Sequence, residues 1–118
     1  MKEFKPFLMH IIDEINYLIR NSKDIEFCNF LDDETFERSF TRSLEIIGEA
    51  TKNLPKDFRN KYPDIPWKKM AGLRDIITHY YFGVDYKKIW DIIKNEIPKL
   101  KSQIEKILFE IEKDKQPI

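Results

Sequence analysis

Apolar residues recur at three- and four-residue intervals along nearly the whole chain, and that spacing leaves it little to become except a packed set of helices. Phe7, Leu8, Ile11, Ile12, Ile15, Leu18 and Ile19 begin the pattern, and Pro6 suits a first helical turn, so a helix is expected over Pro6–Asn21. Asp32 and Asp33 can cap a second helix, whose stripe of Phe36, Phe40, Leu44, Ile47 and Leu54 runs until Pro55 stops it. Three prolines, Pro55, Pro63 and Pro66, mark a connector with room for at most a short helical turn. Pro66 and Trp67 open a third helix carrying Met70, Leu73, Ile76, Ile77 and Tyr80, with Gly83 as its stop. Asp85 can cap a fourth, with Ile89, Trp90, Ile93, Ile97, Leu100, Ile104, Ile107, Leu108 and Ile111 on its apolar side. Pro98 must kink or divide that helix.

A length of 118 residues suits one core and not two, so the expectation is a single domain over 1–118. With no alternating strand pattern and no repeat, its fold class is all-α, an antiparallel bundle of four to five helices. The aromatic residues Phe36, Phe40, Trp67, Tyr80 and Trp90 fall at helical spacing and are expected in the core rather than on a base-stacking platform.

Composition removes several classes of function. Lysine plus arginine equal aspartate plus glutamate at 21 each, so no net field draws the molecule to nucleic acid or an anionic membrane, and any basic site must be local. The three glycines, Gly48, Gly72 and Gly83, are scattered, which excludes a P-loop or a Rossmann cofactor site. Cys28 is the only cysteine, which excludes an internal disulfide and fits a reducing compartment; a buried, unreactive thiol is its expected role. His10 and His79 are the only histidines and lack the company of a metal site, so His10 is expected to be structural or merely exposed. No apolar run has the length of a membrane span and the first residues do not resemble a signal peptide, so a cytoplasmic protein without membrane partners is expected.

One stretch concentrates chemistry. Leu73-Arg74-Asp75-Ile76-Ile77-Thr78-His79-Tyr80-Tyr81 holds a guanidinium, a carboxylate, an imidazole and a phenol. Histidine can move a proton near neutral pH while arginine clamps a phosphate oxygen, a combination suited to phosphodiester cleavage. Asp75 lies one turn before His79 and can orient its ring. At about 100° per residue Arg74 and Tyr81 are almost in line, whereas His79 is rotated by about 140° from Arg74. One straight helix therefore cannot aim all three at one atom. Either the helix loosens before Gly83 or two copies face each other and complete the site between them, which makes a homodimer the mechanistic expectation. Arg38 and Arg42 on the second helix, with Lys68 and Lys69 on the third, are candidates for a local RNA-binding groove. Glu37, Glu45 and Glu49 are interspersed among them, and a solvated face of mixed charge is the alternative.

The spacing Arg-x4-His-x-Tyr, filled by Arg74, His79 and Tyr81, resembles the signature of HepT-like toxins in the HEPN superfamily. Arg42-Ser43-Leu44-Glu45-Ile46-Ile47-Gly48-Glu49-Ala50, then Pro63-Asp64-Ile65-Pro66-Trp67, then Val84-Asp85-Tyr86 and Ile89-Trp90 are similar to that family's pattern in the same order. The resemblance implies a HEPN-like helical fold and a metal-independent endoribonuclease working as a homodimer without a cofactor, with Arg74 and His79 catalytic. Transfer RNA is the substrate class it suggests. It also implies a cognate antitoxin, a minimal nucleotidyltransferase that transfers AMP to Tyr81. Across the wider superfamily the position after the arginine is commonly asparagine, where this chain has Asp75. Two other readings stay open: a catalytically silent HEPN-type adaptor that binds a nucleotide, RNA or partner through Arg74, and a purely structural helical dimerisation module.

Overall fold

The computed structural model describes residues 4–73, 75 and 85–115, with backbone alone at 114 and 115. Among these residues there are helices and turns and no strand, which agrees with the all-α reading. The first helix, α1, spans Lys5–Ser22 with Pro6 in its opening turn, and buries Leu8, Ile11, Ile12, Ile15 and Leu18. It differs from the expected Pro6–Asn21 by one residue at each end.

A short helix, α2 (Phe27–Leu31), follows where no helix was expected. Its start is fixed by a reciprocal cap in which the Glu26 amide donates to the Asn29 side chain at 2.9 Å. Within so short a helix Phe27 and Phe30 share the inward face and leave Cys28 and Asn29 outside. Cys28 is consequently exposed, and the expectation of a buried thiol is corrected. The burial habit of free cysteine yielded here to two phenylalanines that set the helix's rotation.

The long helix α3 (Glu34–Lys52) begins where the sequence places a cap: Asp33 accepts a hydrogen bond from the Phe36 amide at 2.9 Å. It buries Phe40, Leu44, Ile47 and Ala50 and ends three residues before Pro55. The connector holds one five-residue helix, α4 (Lys56–Asn60), and then α5 (Trp67–Ala71) opens directly after Pro66. Gly72 closes α5, its amide donating to the Lys68 carbonyl at 3.0 Å. Leu73 is buried beyond it. The rest of the expected third helix, including Ile76, Ile77, Tyr80 and Gly83, lies outside the described residues, apart from helical, exposed Asp75.

Asp85 caps α6 (Tyr86–Asp91), its carboxylate accepting from the Lys88 amide at 3.1 Å. A π-helical turn (Ile92–Glu96) then leads into α7 (Ile97–Lys115). The turn answers the expectation that Pro98 must kink or divide this helix. Proline has no N–H for the carbonyl four residues back, and the ladder widens just ahead of it, the Ile97 amide donating to the Ile92 carbonyl.

Packing is antiparallel on both sides of α1, as side-chain pairs show. From Glu14 to Tyr17 along α1, the partners on α3 retreat from Ser43 (2.7 Å) to Ser39 (2.8 Å). From Lys5 to Ser22 the partners on the last helical rod retreat from Glu112, which pairs with Lys5, to Lys94, which donates to the Ser22 carbonyl at 3.0 Å. The core therefore lies along α1, between α3 and the rod formed by α6, the π turn and α7. An aromatic ladder ties α2 to both neighbours: Phe30 stacks on Phe40 of α3 at 5.4 Å and on Trp90 of α6 at 5.3 Å. Phe40 and Trp67 are buried, and Phe36 and Trp90 pack partly buried against the core, as the helical spacing predicts.

Candidate functional site

Arg74, His79 and Tyr81 lie outside the described residues, so what the structure defines is the approach to that segment. The approach is held by a local device. Trp67, 7% exposed, donates its indole N–H to the Arg59 carbonyl at 3.0 Å and the Tyr62 carbonyl at 2.9 Å. One ring thus joins the end of α4, the connector and the start of α5. Met70 and Leu73 continue the inward face at 2% and 4% exposure, and Asp75 is exposed. The chain enters position 74 from an anchored leucine.

The other expected site residues fall on separate surfaces. Arg38 is exposed and pairs with Glu34 at 2.8 Å one turn earlier, a surface pair worth little net energy. Arg42 is exposed and shares with His10 a cleft of about 230 Å³ between α1 and α3, where Glu49 also contributes. Lys68 is exposed on α5. Lys69 is half-exposed, pairs with Glu96 of the π turn and lines a different cavity. Arg42 and Lys69 thus line separate cavities among the described residues, although α3 and α5 pack together.

The cavity at Lys69 measures about 280 Å³ and lies between the connector, α5, the π turn and α7. Leu73 forms part of its wall, beside Met70, Ile97 and Leu100, while Asp64 and Gln103 supply polar edges. A second hollow of about 210 Å³ adjoins it, sharing Asp64 and Gln103 and including Tyr62 and Lys106. Sequence reading passed over Glu96, Lys99 and Gln103. Their spacing of three and four residues marks one face of the last helical rod, but a charged face reads from sequence as solvated surface until a second element is seen to close over it. Among the described residues no three His, Cys, Asp or Glu side chains gather into a potential metal site. No helix among them is long and apolar enough to cross a membrane.

An antiparallel helical domain carrying Arg-x4-His-x-Tyr directly after a pinned short helix is of the HEPN class. More narrowly, the chain belongs to the ribonuclease HepT-like family, whose pattern matches residues 11–107, a span that includes Arg74, His79 and Tyr81. A relative from Caldanaerobacter subterraneus subsp. tengcongensis, provisionally named an RNase, is 52% identical over 108 residues, covering 92% of this chain and 96% of the relative. Another from Methanocaldococcus jannaschii, also provisionally named an RNase, is 47% identical over 111 residues, or 94% of this chain and 92% of that one. A relative from Thermococcus cleftensis, provisionally named a ribonuclease HepT, is 42% identical over 106 residues, covering 90% of this chain and 96% of its own. No solved structure matches.

Proposed function

We propose that this protein is a metal-independent endoribonuclease, the toxin of a toxin-antitoxin pair, acting on tRNA as a homodimer. The observation that carries the reading is the Arg74, His79 and Tyr81 spacing inside the span that matches the ribonuclease family. Arg74 binds and polarises the scissile phosphate. The RNA 2′-hydroxyl attacks phosphorus while its proton passes to an imidazole, and the departing 5′-oxygen receives a proton in turn, leaving a 2′,3′-cyclic phosphate and a free 5′-hydroxyl. His79 serves in this proton transfer and Asp75 orients it. The rotation of His79 away from Arg74 on a single helix supports pairing of two copies, so that side chains from both line one cleft.

Tyr81 is the proposed site of control. Its phenolic oxygen attacks the α-phosphorus of ATP on a nucleotidyltransferase antitoxin, losing its proton and releasing pyrophosphate. The AMP then places a bulky anion where the RNA phosphate must bind, and both volume and like charge oppose the substrate.

The test is cleavage of purified total tRNA in EDTA by the wild-type protein and by His79→Ala, with folding of both checked by circular dichroism. Cleavage by the wild type that is lost in the folded variant is the expected result. No cleavage by either protein, or equal cleavage by both, overturns the reading; the first outcome favours an adaptor that binds through Arg74.

A further inference from the structure

We propose that the two joined hollows between the connector and α7 form a groove for two successive bases of single-stranded RNA, with Leu73, the residue before Arg74, in its wall. The assignment to RNA rests on the ribonuclease reading; the groove itself rests on the geometry.

Size is the first argument. At about 280 and 210 Å³ the hollows fall at or below the low end for small-molecule sites, so each suits one flat ring rather than an extended ligand. Neither hollow carries a net positive charge, so phosphates belong at the rim and not inside. The first hollow is lined by two lysines, Lys69 and Lys99, against two carboxylates, Asp64 and Glu96, and Lys69 is already paired with Glu96. The second likewise sets Lys61 and Lys106 against Asp64 and Glu110. A balanced lining favours the uncharged part of a nucleotide.

The walls suit bases in two different ways. Met70, Leu73, Ile97 and Leu100 give the first hollow an aliphatic slot, while Tyr62 gives the second an aromatic surface of the kind on which unstacked bases settle. Gln103 stands between them, its amide donating to the Asp64 carbonyl at 3.2 Å, and is placed to offer polar atoms to a base edge on either side. Lys99 and Lys106 are both exposed and seven residues apart on α7, so they stand on one rim about 10 Å apart along the helix axis. There they meet the sugar-phosphate backbone while the bases point inward. Because Leu73 belongs to the wall, a strand in the groove passes beside the residue that immediately precedes Arg74 in the chain.

The experiment measures binding of an unstructured 2′-O-methyl RNA hexanucleotide, which has no free 2′-hydroxyl to attack, by the paired variant Lys99→Gln with Lys106→Gln. The control is Lys23→Gln with Lys52→Gln, which removes the same charge from exposed positions on other elements. The rim variant is expected to bind roughly tenfold more weakly, and the slope of log Kd against log salt to fall by about 1.4, the value for two single-strand phosphate contacts. The control pair should change neither.

Independently of any variant, methyl-labelled wild-type protein titrated with a dinucleoside monophosphate should show shifts at Met70, Leu100 and Ile97. Equal weakening in both pairs, no weakening in either, or silent methyls at these positions overturns the groove. Wild-type protein that cuts no tRNA yet meets both binding criteria sinks the nuclease reading and leaves the groove standing. Cleavage without these binding effects does the reverse.

Discussion

Replacing Trp67 by phenylalanine keeps a ring in place and removes the N–H that joins the connector to α5. A buried carbonyl stripped of its donor costs about 1–3 kcal/mol, and two are involved. Neither is stripped, however. The Arg59 carbonyl also accepts from the Tyr62 amide at 3.1 Å, and the Tyr62 carbonyl from the Ile65 amide at 3.2 Å. The polar loss is therefore that of one shared, replaceable hydrogen bond, about 1 kcal/mol. The smaller ring forfeits packing for a few heavy atoms against Phe58, whose centroid lies 6.1 Å away, adding about 1 kcal/mol. Trp67→Phe should cost about 2 kcal/mol, against about 3–5 kcal/mol for Trp67→Ala, and lower Tm by roughly 8 °C. Urea unfolding followed by circular dichroism measures it. A cost below about 0.5 kcal/mol would show that the indole pins nothing, and one above about 4 kcal/mol would show that the carbonyls had lost their other donors.

Three other changes test separate features. Phe40→Ala deletes a fully buried ring stacked on Phe30 and on Phe36 at 5.1 Å, and should cost about 3–5 kcal/mol in urea unfolding. Asp33→Ala leaves the Phe36 amide without its cap and should cost about 1 kcal/mol, with Asp33→Asn recovering most of it. Cys28 should react with a thiol reagent in the native protein about as fast as in urea; protection by more than roughly tenfold in the native state would place it inside the core instead.

Much of the fold was legible because the helices carry their own punctuation. Pro6, Asp33 and Asp85 open elements as their chemistry requires, and a stripe such as Leu8, Ile11, Ile15 and Leu18 has one buried side whatever it meets. What stayed hidden depends on pairings remote in sequence or on very short elements. Helix α2 is one and a half turns long, too short for periodicity to register, and it exists because Phe30 finds both Phe40 and Trp90. The π turn is a response to Pro98 whose form sequence could not choose between kink and break. For the candidate site, the sequence supplies residue types and spacing, whereas the partition of the cations is a tertiary fact. Arg42 and Lys69 look alike on two helices until one is seen beside His10 and the other against Glu96.

That partition bears on how such a small chain can divide its labour. The entry to Arg74 is set by Trp67, Met70 and Leu73, a device confined to the connector and α5 and independent of the lysines on α7. The rim of the groove is set by Lys99, Gln103 and Lys106, which lie on the face of α7 turned toward the connector. The two share a wall at Leu73 and Met70, but the side chains that would hold an RNA strand are not those that anchor the chain entering the proposed catalytic segment. Lys99 and Lys106 are exposed and can change without touching the core, while Trp67 cannot change without loosening α4 from α5. Substitutions at Lys99 or Lys106 should therefore alter the proposed grip on RNA while leaving the indole hydrogen bonds of Trp67 in place, because those two sets of contacts use different side chains.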